Sequence, residues 1–141
     1  MIPIKLQLRN FLCYRDNVLP LVFEGMHVLC LSGDNGHGKT ALLDAITWAL
    51  WGKARVSGDG RGRVSDDELI HFGRTEMEVE FEFALAGDLY RVIRKHGYQR
   101  GPKRVQSVGA LEFQILGDPE FRSITGNTKH ETQRKINEVL R

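Results

Sequence analysis

The sequence predicts an α/β fold with an added antiparallel β meander, in a chain of 141 residues. A continuous apolar run over residues 26–31 is typical of a strand covered on both faces. A helix predicted over residues 39–51 follows it after a Gly-containing stretch. Residues 76–86 alternate between apolar side chains and glutamates, which indicates a half-buried strand. We therefore expect one lobe in which a buried strand and a helix join an antiparallel sheet.

Two short segments precede the buried strand. Ile4, Leu6 and Leu8 lie on one face of a first predicted strand, and residues 18–23 form a second apolar run. Gly25 then separates this run from the buried strand. The N-terminal part of the chain is thus expected to consist mainly of strands.

The predicted helix over 39–51 is apolar almost all round and ends at Gly52. A helix with so little polar surface has to be covered by a sheet or by another subunit. A loop rich in Gly and Arg follows over 53–64, and the acidic residues 66–68 then favour a short helical turn.

The meander is predicted from turn signals between apolar segments. Gly87–Asp88 is expected to turn the alternating strand into a second strand over 89–95. A connection containing Gly and Pro leads to a third strand over 110–116.

A last helix over 128–141 is predicted to begin with a capping box formed by Thr128 and Glu131. Gln133 is expected to lie on the solvated face of this helix. The whole chain is interpreted as a single lobe, residues 1–141. Its parts are strands, Gly-rich stretch and first helix over 1–52, a Gly- and Arg-rich loop with a short helix over 53–75, the meander over 76–117, and the C-terminal helix over 128–141.

The composition is that of an ordinary globular domain, with a formal net charge of +2. So small a charge does not itself indicate a nucleic-acid partner, which has to be argued from local clusters of Lys and Arg. Cys13 and Cys30 lack metal-ligand spacing, so we expect two buried free thiols in a reducing compartment. No apolar run approaches the ~20 residues of a membrane span. These features predict a cytoplasmic protein without a membrane partner.

The most informative feature is the segment 33–40, which fits the phosphate-binding pattern G-x-x-x-x-G-K-[ST] at every fixed position. The backbone N–H groups of such a loop bind phosphates, and Gly permits their close approach. Lys39 is expected to reach the β and γ oxygens, and the Thr40 hydroxyl to ligate Mg²⁺. The residues expected to contact the nucleotide are Gly33, Asp34, Asn35, Gly36, His37, Gly38, Lys39, Thr40 and Ala41.

The motif and its neighbours resemble a known family. The loop variant, with Asn35–Gly36 before Gly38–Thr40, is similar to that of ABC-type ATPases. Together with Arg9–Phe11 and the helix sequence 41–52, it resembles the N-terminal half of the ATPase head of SMC-like proteins, in particular the SbcC-like double-strand-break repair ATPases. The resemblance covers nearly the whole chain and is strongest over 1–75. It implies a P-loop NTPase fold of the ABC/SMC head type, in its N-terminal lobe.

The resemblance also implies partners and cofactors. The head would be divided between two ends of a long polypeptide joined by a coiled coil. The C-terminal half of the head would supply the signature and acidic motifs, and two heads would enclose ATP and Mg²⁺. DNA and an SbcD-like nuclease are the further partners that it implies, which places the protein at the nucleoid.

This sequence contains no apolar run followed by Asp-Glu, no signature sequence and no glutamine loop. Water activation therefore has to come from residues outside it. We expect a fragment of a longer ATPase that hydrolyses ATP poorly alone, with Lys39 as its one catalytic candidate.

Two basic segments lie outside the phosphate loop. Residues 94–104 contain no Asp or Glu, and a solvated hairpin is the alternative to DNA contact. The residues expected to contact DNA are Arg94, Lys95, Arg100, Lys103 and Arg104.

The second basic segment contains Arg55, Arg61 and Arg63. Comparison with SMC-like heads implies that one arginine of this loop, with Arg55 as a candidate, approaches the nucleotide or the DNA. Asn10 is a further candidate nucleotide contact, because it matches the residue at the strand end of the family. A turn-capping Asn is the alternative.

Two other functions fit the same motif. The nucleotide-binding subunit of an ABC transporter would share the phosphate loop, and the basic hairpin would then be incidental. A non-catalytic DNA-binding or dimerisation module with a vestigial loop is the other alternative, although intact Lys39 and Thr40 argue against it. Absence of DNA binding by the paired full-length protein would favour the transporter, and loss of ATP binding in Lys39→Ala would exclude the vestigial loop.

Overall fold

The computed structural model of this protein describes residues 1–16, 18–23, 39–54 and 65–141. For Lys39 only the backbone is described. Three predicted segments lie wholly or mostly outside the described residues: the buried strand over 26–31, the phosphate loop over 33–38 and the loop over 53–64. The described part contains one sheet and three helices.

Six strands are described: β1 (Ile2–Arg9), β2 (Leu21–Val22), β3 (Glu76–Leu85), β4 (Asp88–Arg100), β5 (Val105–Leu116) and β6 (Phe121–Ser123). They form one sheet in the order β2-β1-β3-β4-β5-β6, and every neighbouring pair is antiparallel. Strands β3 to β6 are neighbours in both sequence and space. The predicted antiparallel meander is therefore present, and it is continuous with the N-terminal strands.

One face of this sheet is apolar because the apolar residues of β1 lie opposite the apolar residues of β3. Leu6 lies opposite Phe81, and Leu8 lies opposite Val79. All four side chains are buried. Their burial contributes about 25 cal/mol for each Å² of apolar surface removed from water. A row of stacked rings, with centroids 5.8, 5.5 and 5.4 Å apart, continues this face through Phe81, Phe83, Tyr90 and Phe113.

The opposite face of the sheet, called the outer face, carries acidic and basic side chains on neighbouring strands. Arg9 of β1 donates to Glu76 of β3 over 2.6 Å, and this bond lowers the pKa of the Glu76 carboxyl. Arg91 of β4 donates to Glu82 over 2.7 Å and lies 3.5 Å from Glu80. Cross-strand pairs of opposite charge stabilise a sheet. The cations of β1 and β4 therefore offset the repulsion between the glutamates of β3.

Three helices are described: α1 (Lys39–Trp51), α2 (Asp66–Leu69) and α3 (Lys129–Val139). The bounds of α1 agree with the helix predicted over 39–51. It packs on the apolar face of the sheet, against β3 and β4. Its outward side carries Leu43 and Trp51, which are 46% and 44% exposed. The buried residues of α1 are Ala41, Ala45, Trp48, Ala49 and Leu50.

The helix α3 packs against β5 and α1 and buries Ile136. The Thr128 hydroxyl accepts a hydrogen bond from the N–H of Glu131 over 3.1 Å, so the predicted N-terminal cap is confirmed. The Glu131 carboxylate accepts from the N–H of Asn127, one residue before the cap. None of the helices in the described ranges has the length and apolar character needed to cross a membrane.

The hairpin between β4 and β5 is longer than the sequence predicts. β4 continues to Arg100 and β5 begins at Val105, where the prediction places a loop. The N–H of Gly101 donates to the carbonyl of Arg104 over 2.8 Å and closes the turn. This extension, residues 97–108, is called the ribbon. Its side chains do not alternate between apolar and polar types, so the sequence pattern does not indicate a strand there. The ladder is formed by backbone N–H and C=O groups, which every residue except proline supplies in full.

Other predictions of local structure need correction. The turn after β3 is formed by Ala86 and Gly87, with φ of 53° and 87°, so Asp88 already belongs to β4. Positive φ at both central residues is what a two-residue hairpin requires. Cys13 is an exposed free thiol and not a buried one, because it lies in the surface turn after β1. Cys30 lies outside the described residues.

We predict that Phe81→Ala lowers the free energy of unfolding by about 3–5 kcal/mol, because it leaves a cavity under α1. Phe81 is fully buried within the stacked row. Phe72→Ala is the matched control, since Phe72 is 96% exposed, and it should change the free energy by less than about 0.5 kcal/mol. Urea denaturation followed by circular dichroism measures both. Equal losses in the two variants would contradict the described core.

Candidate functional site

The predicted phosphate site is described only at its C-terminal end. Gly33 to Gly38 and Arg55 lie outside the described residues. Lys39 is the first residue of α1. Thr40 is exposed and Ala41 is buried. The helix therefore begins with the last two residues of the motif, which is the order that the motif requires.

The first turn of α1 contains no acidic side chain. Its N–H groups have no acceptor within the helix and carry a partial positive charge. The Thr40 hydroxyl is on the surface at the same end. Asp44 lies one turn further, where its carbonyl accepts from the Thr47 hydroxyl over 3.1 Å. N–H donors, a hydroxyl and no neighbouring carboxylate in the first turn fit a phosphate group with its Mg²⁺.

The corner after β1 holds Asn10, which is 4% exposed and has φ of 55°. Its carbonyl accepts from the N–H of His71 over 2.7 Å, and Leu12 donates to the carbonyl of Leu69. Phe11 is fully buried, with its ring 5.8 Å from that of Trp48. This corner fastens the end of β1 to α2. Within the described residues, the Asn10 side-chain oxygen has no hydrogen-bond partner.

An open cavity of about 650 Å³ lies beside this corner. The ribbon contributes Tyr98 and Arg100 to its wall, and the segment after α2 contributes Phe72 and Arg74. Cys13, Asp67 and Glu68 also line it. Aromatic rings and guanidinium groups thus share one concave surface.

Arg94 does not lie where the sequence predicts it. It is 3% exposed, inside the junction of β4, α1 and α3. Burial lowers its pKa to about 10, and nearby Asp66 acts in the opposite direction, so it is charged at neutral pH. A guanidinium enclosed in this way cannot contact DNA from the surface. The expectation of DNA contact by Arg94 is corrected accordingly.

The partners of Arg94 include a residue that sequence reasoning set aside. Its Nε donates to the carbonyl of Ala49 over 3.1 Å, and its Nη2 donates to the amide oxygen of Gln133. The Gln133 amide in turn donates to the carbonyl of Leu50 over 2.7 Å. Gln133 is therefore half-buried and bonded, where a solvated helix face was expected. Only its spacing on α3 from buried Ile136 could have indicated this.

A second polar junction ties α2 to the sheet. The indole N–H of Trp48 donates to Asp66 over 3.1 Å. His96 of β4 is buried, and its Nε2 lies 2.7 Å from the carboxylate of Asp67. The Ser107 hydroxyl donates to the same carboxylate over 3.1 Å. This junction fixes the start of the ribbon relative to α1.

The other cations of the basic segment are exposed. Lys95 lies on the outer face, and Arg100, Lys103 and Arg104 lie at the tip of the ribbon. No ion pair among the described residues involves the three tip residues. The tip is thus a compact group of positive charges facing solvent.

These features can be compared with known proteins. The family described as AAA domain matches residues 5–140. The chain belongs to this family. The chain is also 30% identical over 141 residues to the SbcC subunit of the nuclease SbcCD from Deinococcus radiodurans. This alignment covers 99% of this chain and 14% of that protein. The probable DNA double-strand break repair Rad50 ATPase of Aquifex aeolicus is 34% identical over 94 residues, 67% of this chain and 9% of that protein.

A solved structure gives the same assignment of fold. It comes from work on ATP-driven dimerization and DNA-stimulated activation of SMC ATPases, with a TM-score of 0.64 and 21% identity. The match covers 99% of this chain and 78% of that one. The predicted resemblance to SbcC-like and SMC-like ATPase heads is confirmed, as is the α/β P-loop fold class. The AAA domain described here spans about a seventh of the Deinococcus radiodurans relative.

We predict that Gly52→Ala destabilises this AAA domain through Arg94. Gly52 has φ of 71°, and an added Cβ would lie 3.1 Å from the Arg94 Nη1. Left-handed strain alone costs about 1–2 kcal/mol, and displacement of the guanidinium adds to it. Gly73→Ala is the control, because Gly73 has φ of 86° and open space around it. Chemical denaturation should show a larger loss for Gly52→Ala; equal losses would mean that the Arg94 contact is unimportant.

Proposed function

We propose that this chain is the ATP-binding N-terminal half of the head of an SbcC-like ATPase. The observation that carries the proposal is the start of α1 at Lys39, within the last two residues of the phosphate motif, with a first turn free of acidic side chains. The relatives named above are an SbcCD nuclease subunit and a Rad50 ATPase, and they support this choice over a transporter subunit. The longer protein would hydrolyse ATP and act in the repair of DNA breaks.

The residues that would hold Mg²⁺-ATP are those of the motif. Backbone N–H groups of residues 33–41 would bind the phosphates, and Lys39 would place its charge at the β and γ oxygens. The Thr40 hydroxyl would ligate Mg²⁺, which supplies charge neutralisation for phosphoryl transfer when bound. Asn10 and Arg55 remain candidate contacts, the first through its buried amide oxygen.

Water activation would come from residues outside this chain. The sequence has no acidic motif and no signature motif, so the site needs the C-terminal half of its own head and a second head. The outward side of α1, with Leu43 and Trp51 half-exposed, supports a covering partner. Apolar side chains of this size are normally covered when a partner is available.

The ribbon is the proposed contact with DNA. Arg100, Lys103 and Arg104 form its exposed tip, and Lys95 lies on the adjoining outer face. Cations placed in this way neutralise phosphates without reading sequence. An SbcD-like nuclease is the further proposed partner, because a relative is named as a subunit of the nuclease SbcCD. A nucleoid-associated position in the cytoplasm follows from this role.

We predict that Lys39→Ala weakens Mg²⁺-ATP binding by roughly 10- to 100-fold, because a charge-assisted contact worth about 1.5–3 kcal/mol is lost. Isothermal titration calorimetry on the 141-residue chain measures the affinity. Arg134→Ala is the matched control, since it removes one exposed positive charge on α3. Undiminished binding in Lys39→Ala would refute the proposed site.

Turnover separates the half-head from a complete enzyme. We expect little ATP hydrolysis by this chain alone and hydrolysis after it is mixed with the C-terminal half of its parent. Addition of duplex DNA should raise the rate further. Robust hydrolysis by the chain alone would overturn the assignment, because it would require a water-activating carboxylate within it.

The ribbon gives a separate prediction about salt. In the paired head, replacing Arg100, Lys103 and Arg104 by Ala should reduce the slope of log Kd against log salt concentration by roughly 2 to 3, at about 0.9 per phosphate contact. Fluorescence anisotropy with a labelled duplex at several salt concentrations measures this slope. The control replaces Lys5, Arg122 and Arg134 by Ala, which removes the same charge elsewhere. An equal change of this slope in both variants would mean that net charge, and not the position of the ribbon, causes the effect.

A further inference from the structure

Two side chains from different elements hold the C-terminal end of α1. Arg94 comes from β4 and donates to the carbonyl of Ala49 over 3.1 Å. Gln133 comes from α3, accepts from Arg94, and donates to the carbonyl of Leu50 over 2.7 Å. The last carbonyls of a helix have no partner within it, and a cation at this end interacts favourably with the helix dipole. One guanidinium and one amide thus join three elements at a single point.

Stability alone is a poor explanation for this arrangement. Moving a guanidinium out of water is costly, and hydrogen bonds to a carbonyl and an amide offset only part of that cost. No carboxylate is within ion-pair distance of Arg94 among the described residues. Buried polar groups of this kind are best known for fixing the register of packed helices.

Much of the remaining buried surface of α1 is formed by small side chains. Ala41, Ala45 and Ala49 recur at every fourth residue of its buried side and present only methyl groups to the sheet. Trp48 and Leu50 are the large side chains of α1 that are fully buried. Hydrophobic contact is non-directional, so small side chains permit a helix to slide or tilt. Arg94 and Gln133 supply directional bonds from β4 and α3, in addition to the bond from Trp48 to Asp66 of α2.

We infer that Arg94 and Gln133 are positioning residues that set the axial position and tilt of α1, and through α1 the position of Lys39 and Thr40. The consequence for ATP rests on the proposed function, whereas the consequence for helix position does not. Neither side chain touches the nucleotide in this assignment. They act from the opposite end of the helix.

The length of α1 makes this control effective. Thirteen residues span about 18 Å from Lys39 to Trp51, so a tilt of about 10° at one end moves the other by about 3 Å. A hydrogen bond to a phosphate tolerates only a few tenths of an ångström. Small rotations about the Arg94 junction would therefore separate Thr40 from its proposed ligand.

Two variants and one control test the inference. Arg94→Met retains much of the aliphatic volume without the donors, and Gln133→Leu removes the amide. Phe83→Leu is the control, because Phe83 is buried in the same sheet and stacks on Phe81 and Tyr90, away from Arg94. Thermal unfolding would confirm that all three variants fold and would rank their stabilities.

The first readout is the position of α1 without nucleotide. Spin labels are attached at Leu43→Cys on α1 and Leu116→Cys on β5, both exposed, after Cys13 and Cys30 are replaced by Ser. We expect one narrow distance distribution in the parent and a broadened or shifted one in Arg94→Met and Gln133→Leu. Phe83→Leu should match the parent. Unchanged distributions in the Arg94 and Gln133 variants would overturn the inference, whatever happens to ATP binding.

The second readout is Mg²⁺-ATP affinity. We expect about a tenfold loss in Arg94→Met, with little loss in Phe83→Leu even where the latter is less stable. An affinity loss that only follows stability would overturn the positioning role. If the parent chain bound no Mg²⁺-ATP, the proposed function would fail, and the spin-label distances alone would decide the inference.

Discussion

The contact between α1 and the apolar face of the sheet is the interaction on which the rest of this structure depends. Alternation in β1 and β3 gives the sheet one apolar side, and such a surface is stable only when another element covers it. α1 provides that cover with Trp48 and a row of alanines. Because the same helix begins at Lys39, the packing that closes the core also carries the end of the phosphate motif.

Because α1 both covers the core and carries the end of the motif, its position matters, and several hydrogen bonds hold this otherwise apolar helix. Arg94, Gln133 and Asp66 all contact α1 residues in its last turn or near it. Close-packed interiors transmit displacement, so a bond at one end of a rigid helix is felt at the other. The opposite side of α1 exposes Leu43 and Trp51 to about half of their surface.

The sequence was sufficient where a single periodicity decided the structure. Strict alternation predicted β3, the apolar run ending at Gly52 predicted α1, and the Thr128 cap predicted α3. It was insufficient where backbone bonding or three-dimensional proximity decided. The ribbon has polar side chains and forms through its backbone, and the burial of Arg94 depends on α1 and α3 meeting over β4. A run of basic residues looks the same whether one of them points inward or all point outward. The phosphate-loop residues themselves lie outside the described part of the chain, so their interpretation still rests on the motif.

The paired charges of the outer face have an electrical consequence. Arg9 and Arg91 each lie beside glutamates of β3, so this face produces little field beyond a Debye length, about 8 Å in physiological salt. The tip of the ribbon has no such compensation among the described residues. Within the part of the chain that the structure describes, the ribbon tip is therefore a distinct positive region. The electrostatic field of the tip would orient the protein relative to an approaching polyanion before contact, so that the ribbon faces the polyanion first.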